Sequence, residues 1–330
     1  VPGWEGPEPG VTAMLLSATL WACAELDEPV PAWVDTGLDW LAGLQNPDGA
    51  IALYGVRTYT TAVAMEALLD RSRPGHGPVV AAALEFLTTV QADEGEGYDA
   101  DIDPHYGGVG YGGDERPDLS NTQMAVEAAR RAGLDPADDF FEKALIFLER
   151  NHNLGETRVD SWPRPGGGTV VSGTDGGATY MPGSSPAGED EQGDGVYVAR
   201  SYGSMTYALT KSYLLCGLPA DSPRVQAAVR WLADSFTLET NPGFSDPRQA
   251  NDGLYYYYLA MARTLSRLPD AALVTSDGRS IAWRDEVLTH LLAHQRVDGT
   301  WINPDSARWY EGSPALCTAY ALLTLKAADT

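Results

Sequence analysis

Two stretches constrain this chain more than any others. At 40–51 and again at 291–301 an amphipathic helical pattern ends in a Gln, passes through a tight Asp-Gly turn and reopens on an apolar residue. The residues are Gln45, Asp48, Gly49 and Ile51 in the first stretch, and Gln295, Asp298, Gly299 and Trp301 in the second. A second helical pattern follows each, beginning Thr61-Ala62 in one and Thr318-Ala319 in the other. One such hairpin cannot bury its apolar face alone, so a recurring unit must stack on its neighbours.

Helical periodicity recurs along the full length. One set of segments, at 12–21, 61–69, 122–134, 206–218, 255–268 and 318–325, is apolar on nearly every face. A second set, at 32–44, 79–90, 137–150, 223–236 and 283–295, carries charged faces. Helices that are apolar all round are buried, so the expected arrangement is an inner ring within an outer ring, a single domain over 1–330. The first outer helix is expected to be missing, and residues 1–10, with Trp4, to form a surface arm.

The Gln-x-x-Asp-Gly turns, the Thr-Ala helix starts and the segment Pro117-Asp118-Leu119-Ser120-Asn121-Thr122-Gln123 resemble the prenyltransferase and squalene cyclase repeat superfamily over roughly 11–328. The resemblance implies an all-α fold, an α6/α6 toroid. Terpene cyclases of that superfamily protonate an alkene with Asp-x-Asp-Asp ahead of an inner-helix Thr-Ala. Here the matching positions read Arg57-Thr58-Tyr59-Thr60 and Asp118-Leu119-Ser120-Asn121, so the central acid is absent. The prenyltransferases hold zinc through an Asp, a Cys two residues later, and a His. Asp252 fits the first place, but Leu254 replaces the Cys, and zinc needs three or more ligands.

The formal charge of −24 arises from 46 acids against 22 bases. Nucleic acid and anionic membranes need a basic footprint and are excluded as partners. An acidic, lysine-poor chain fits secretion or a periplasmic setting, while a GC-rich genome gives the same composition to a soluble cytoplasmic protein. Cys23, Cys216 and Cys317 lie in apolar runs without metal-type spacing and are expected to be free thiols. No segment approaches the roughly 18 apolar residues of a membrane span.

Departures from the pattern mark where function is expected. The loop 92–117 carries Asp99, Asp101, Asp103 and His105, alternating as on one face of an extended chain. It fails as a calcium loop, because Pro104 takes the place of the required Gly. The insertion 155–200 has no helical period, although Trp162, 169–171, Tyr180 and Tyr197 have the content of short strands; 184–194 is expected to be mobile.

Loops ahead of inner helices gather at one end of a ring, beside helix N-termini that favour polar or anionic groups. The expected catalytic residues are therefore Asp118, Asp101, His105 and Asp252. The expected ligand-binding residues are Arg57, Tyr59, Arg200, Tyr202, Tyr255, Trp309, Tyr310 and Glu311. No metal or cofactor is expected. The leading functional expectation is a terpene cyclase-like protein whose central aromatic cavity binds or transforms an isoprenoid or other apolar ligand. The alternatives are a carbohydrate-active enzyme, either polysaccharide lyase or hydrolase, and a non-catalytic binding or scaffold module.

Overall fold

A computed structural model describes residues 8–53, 55–71, 73–112, 116–155, 160–269 and 273–330; the Trp4 arm lies outside them. The described helices are α1 (Pro9–Glu25), α2 (Ala32–Ala42), α3 (Arg57–Asp70), α4 (His76–Thr89), α5 (Leu119–Arg131), α6 (Asp139–Asn151), α7 (Gly203–Leu215), α8 (Pro223–Asp234), α9 (Leu254–Leu265), α10 (Trp283–Ala293) and α11 (Pro314–Asp329). The odd-numbered helices form an inner ring, each packing on the next, with α11 closing on α1. The even-numbered helices lie outside, α2 against α1 and α3, α4 against α3 and α5, α6 against α5 and α7, α8 against α7 and α10 against α11. The contrast in burial explains the sorting. Every residue of α7 from Gly203 to Tyr213 is buried, whereas α2 buries only Val34, Leu38 and Leu41.

The expectation of an all-α, α6/α6 toroid is corrected by a sheet. A four-stranded mixed sheet lies between α6 and α7, made of β1 (Ser161–Pro163), β2 (Thr169–Val171), β3 (Glu189–Gly193) and β4 (Val196–Ala199) in the order β1-β2-β4-β3. The β2–β4 pair is parallel and the other two are antiparallel, so the chain combines helices with a sheet. Trp162, 169–171 and Tyr197, read as having the content of short strands, lie in β1, β2 and β4, while Tyr180 lies outside the strands. Segment 184–194, read as mobile, contains β3, which pairs along β4. Of the cysteines, Cys317 is buried while Cys23 and Cys216 are half-buried, and all three are free.

The turn residues have identifiable tasks. Gln45 Nε2 donates to Gly49 O at 3.0 Å and to Val79 O of α4 at 2.8 Å. Gln91 Nε2 likewise donates to Gly107 O at 2.9 Å and to Phe140 O of α6 at 3.0 Å. Each Gln thus ties a turn to the next outer helix. The helix-start threonines complete the tie: Thr61, Thr122, Thr206 and Thr318 Oγ accept the backbone N–H of Ile51, Val109, Ala178 and Trp301 at 2.9–3.1 Å. Buried polar atoms are thereby paired within each turn.

The loops ahead of the inner helices are bonded to one another. Thr58 N donates to Tyr111 O, Leu119 N to Tyr180 O, Ser245 N to Ala187 O, and Asn303 Nδ2 to Asn251 O. These links make one continuous rim.

Candidate site beneath the Tyr111–Tyr180 pair

Asp118 is the N-cap of α5 and is 1 % exposed. Its carboxylate accepts the Asn121 backbone N–H and the Asn121 Nδ2 group, both at 2.8 Å. Burial pushes its pKa up to about 6, against the opposing pull of the Asn121 donors and the Tyr180 hydroxyl. Loss of hydration outweighs the capping bonds, which favours the acid form.

The rim closes over this carboxyl. Tyr180, from the sheet-bearing insertion, meets Tyr111, from the loop ahead of α5, with hydroxyls 3.2 Å apart. Below them the Tyr256 hydroxyl bonds Ser120 Oγ at 2.9 Å and accepts from Gln123 Nε2 at 3.3 Å. The Tyr59 and Tyr320 hydroxyls are 2.8 Å apart, and burial pushes Tyr59 up to about 12. Phenols so placed stay neutral and present ring faces as well as hydroxyls. The Asn121 Oδ1 and Gln123 Oε1 atoms are buried without a partner.

The axis below the tyrosines is filled. A void of about 10 Å³ remains there, bordered by Tyr59, Gln123, Lys211, Tyr256 and Arg263. A roomier hollow of about 420 Å³ lies outside the ring between α4 and α6, bordered by Leu84, Glu85, Asp138 and Lys143. It touches no residue expected to be functional.

The remaining expected site residues scatter. Asp101 is exposed in a turn where its own N–H donates to Asp99 Oδ1. His105 is half-buried, and desolvation lowers its pKa. Among the described residues no hydrogen bond joins either of them to Asp118. Arg57 pairs with Asp48, donates to Gly112 O at 3.3 Å and lies over the Phe86 ring. Arg200 is held by Asp190 at 2.5 Å and Gly243 O at 3.0 Å. Asp252 accepts from Ser306 Oγ at 2.5 Å.

Glu311 is fully buried and accepts from Tyr256 N–H at 2.9 Å and Asn303 Nδ2 at 2.8 Å. It therefore caps α9, and burial raises its pKa to about 7. Tyr202 is buried edge-on against Phe244. Tyr255 is buried and packs edge-on against Tyr258. Trp309 and Tyr310 are exposed, with left-handed φ of 55° and 66°, a conformation strained for bulky side chains.

Of the predicted set, Asp118, Tyr59 and Tyr202 belong to the tyrosine cluster. Tyr111, Tyr180, Tyr256 and Tyr320 complete it and were missed. A signal for Tyr256 was present: Leu259 and Arg263 follow it at three and seven residues, on one helix face, and all three border the axial void. Among the described residues no group of three or more His, Cys, Asp or Glu is arranged to hold a metal.

No family model matches this chain, and no curated protein matches it. A solved structure described as a protein from Actinoplanes is similar to it, with 16% identity, coverage of 90% of this chain and 98% of that one, and a TM-score of 0.43. These comparisons lend no support to the prenyltransferase and squalene cyclase superfamily. The descriptions helical repeat, terpene cyclase-like and secreted gain none either, and the mixed sheet overturns a pure α/α architecture. No helix among the described residues is long and apolar enough to cross a membrane.

Proposed function

We propose that this chain binds a small, predominantly apolar ligand of the isoprenoid class at the loop-bearing end of the inner ring, with Asp118 as proton donor. The observation that carries the reading is a carboxyl of pKa about 6 sealed beneath tyrosines. A general acid works best with a pKa near the operating pH, and electron-rich ring faces favour a ligand in which positive charge develops. Small-molecule pockets typically enclose about 300–1,000 Å³, far more than the axial void. Entry therefore requires Tyr111 and Tyr180 to part.

The test is Asp118→Asn. Asparagine caps a helix about as well as aspartate, and a rotated Asn121 can turn its unpaired Oδ1 toward the new amide. Folding stability should stay within about 0.5 kcal/mol of the parent, while turnover across an isoprenoid panel should fall about 100-fold or more. Parent turnover should fade as pH rises through about 6, where the acid form is lost. Turnover that ignores both the substitution and the pH would remove Asp118 from the reading.

A second reading, a non-catalytic binding module, is favoured by the filled axis. It predicts that no isoprenoid binds, and that Asp118→Asn alters nothing.

A further inference from the structure

We propose that His290 and His294 of α10, with Glu239 from the segment between α8 and α9, form a binding site for one Zn2+ ion. The two histidines stand four residues apart, which places them on one face of the helix. Their rings face each other with centroids 4.2 Å apart and planes 30° from parallel. The Glu239 carboxylate lies 4.0 Å from His290 Nδ1. None of the three belongs to the tyrosine cluster.

The hydrogen bonds fix which nitrogen of each neutral ring carries a lone pair. A tyrosine hydroxyl has a single proton, and that of Tyr258 goes to Leu238 O at 2.6 Å. His290 Nε2, 2.9 Å from the same hydroxyl, must therefore supply the hydrogen of that contact. His290 Nδ1 is left with the lone pair, on the side of the Glu239 carboxylate. In His294, Nδ1 lies 2.8 Å from His290 O, which only accepts, so Nδ1 donates and Nε2 keeps the lone pair. Metal-binding histidines are held in this manner, the second ring nitrogen donating to an oxygen that sets the tautomer.

The donor set names the ion. Imidazole nitrogens with one carboxylate suit zinc, which accepts two His and a Glu and leaves a fourth position to water. Two ligands about 2.1 Å from one ion at the tetrahedral angle stand about 3.4 Å apart. Glu239 Oε1 is somewhat farther than that from His290 Nδ1, so no three-ligand group stands ready among the described residues. The Glu239 side chain is 82 % exposed and His294 is exposed, so side-chain rotations at the surface close the set. The bound ion ties α10, which packs on α11, to the segment that leads into α9.

The test is calorimetric titration of the whole chain with ZnCl2 alone. One ion per chain should bind with a micromolar Kd, and saturation should raise the melting temperature by a few degrees, because the ion binds the folded state. His294→Ala and Glu239→Ala alter exposed side chains, so both variants should fold, and each should weaken binding at least about tenfold. His76→Ala removes a histidine from α4, where its ring meets Asp39, and should leave the Kd unchanged. Absence of saturable binding below about 100 µM, or binding equal to the parent's in His294→Ala or Glu239→Ala, would overturn the inference. So would an equal loss in His76→Ala, since the ion would then sit elsewhere.

Discussion

Replacing Glu127 by Ala is expected to lower stability by about 3–5 kcal/mol, the usual consequence of stranding a buried charge. Glu127 of α5 is 3 % exposed and accepts from Lys211 Nζ at 2.5 Å, Arg263 Nη1 at 2.9 Å and Arg267 Nη2 at 3.1 Å. Arg263 also reaches Glu66 at 3.1 Å, so the charges of α3, α5, α7 and α9 form one network inside the ring. Lys211 is 1 % exposed, and burial already lowers its pKa to about 8 with Glu127 present. Without Glu127, Lys211 loses the carboxylate that its ammonium contacts at 2.5 Å.

The reverse change is milder for a physical reason. Lys211→Met leaves Glu127 with two guanidinium partners and fills the lysine stem with apolar volume, so a loss of about 1–2 kcal/mol is expected. Urea midpoints at constant m separate the two cases. Equal midpoints would mean that the network does not depend on Glu127.

The pH dependence has a definite sign. Burial alone would raise the Glu127 pKa, but Arg263, Lys211 and Arg267 hold it far below the ordinary carboxylate range. The stabilisation it supplies is therefore complete above the unfolded carboxylate pKa and is lost as the pH falls below it.

This network was invisible in the sequence, and the reason applies to much of the site. Glu66, Glu127, Lys211 and Arg263 stand far apart in the chain, and each alone reads as a solvated charge on a helix. Only ring closure brings them together. Helix positions, by contrast, were legible, because a 3.6-residue period repeats several times within 11–17 residues. Asp118 was legible from its place four residues before Thr122, where it caps α5. Tyr111 and Tyr180 were not, since each sits in an aperiodic insertion and they meet only through tertiary packing. The sheet was legible only in part: Trp162, 169–171 and Tyr197 read as short-strand residues and lie in β1, β2 and β4, whereas acidic β3 falls in the stretch read as mobile, and the turn joining β1 and β2 is Gly166-Gly167-Gly168, all with positive φ. Glycine density reads as a flexible loop even where it makes a hairpin.

Gly107→Ala is expected to destabilise the fold by about 2–5 kcal/mol. A left-handed backbone costs an alanine about 1–2 kcal/mol, and Gly107 has φ 83°. The larger share comes from contact, because the new Cβ would lie 1.8 Å from Lys143 O and 2.5 Å from Lys143 C. Those are backbone atoms of α6, so no side chain can swing away. Relief requires moving the loop, whose Gly107 N–H donates to Ala92 O at 2.7 Å and whose Gly107 carbonyl accepts from Gln91.

Gly97→Ala is the control. It has φ 85° in the same connection, with nothing within 4 Å of its Cβ position, so it should show the backbone term alone, about 1–2 kcal/mol. Urea denaturation of the two variants isolates the clash, and equal losses would mean that Gly107 is not seated on α6. The consequence reaches the candidate site, because the displaced segment runs on to Tyr111 and to Val109, which accepts the Asp118 N–H at 3.3 Å. Gly107→Ala should therefore weaken any ligand effect that Asp118→Asn abolishes, whereas Gly97→Ala should leave it intact.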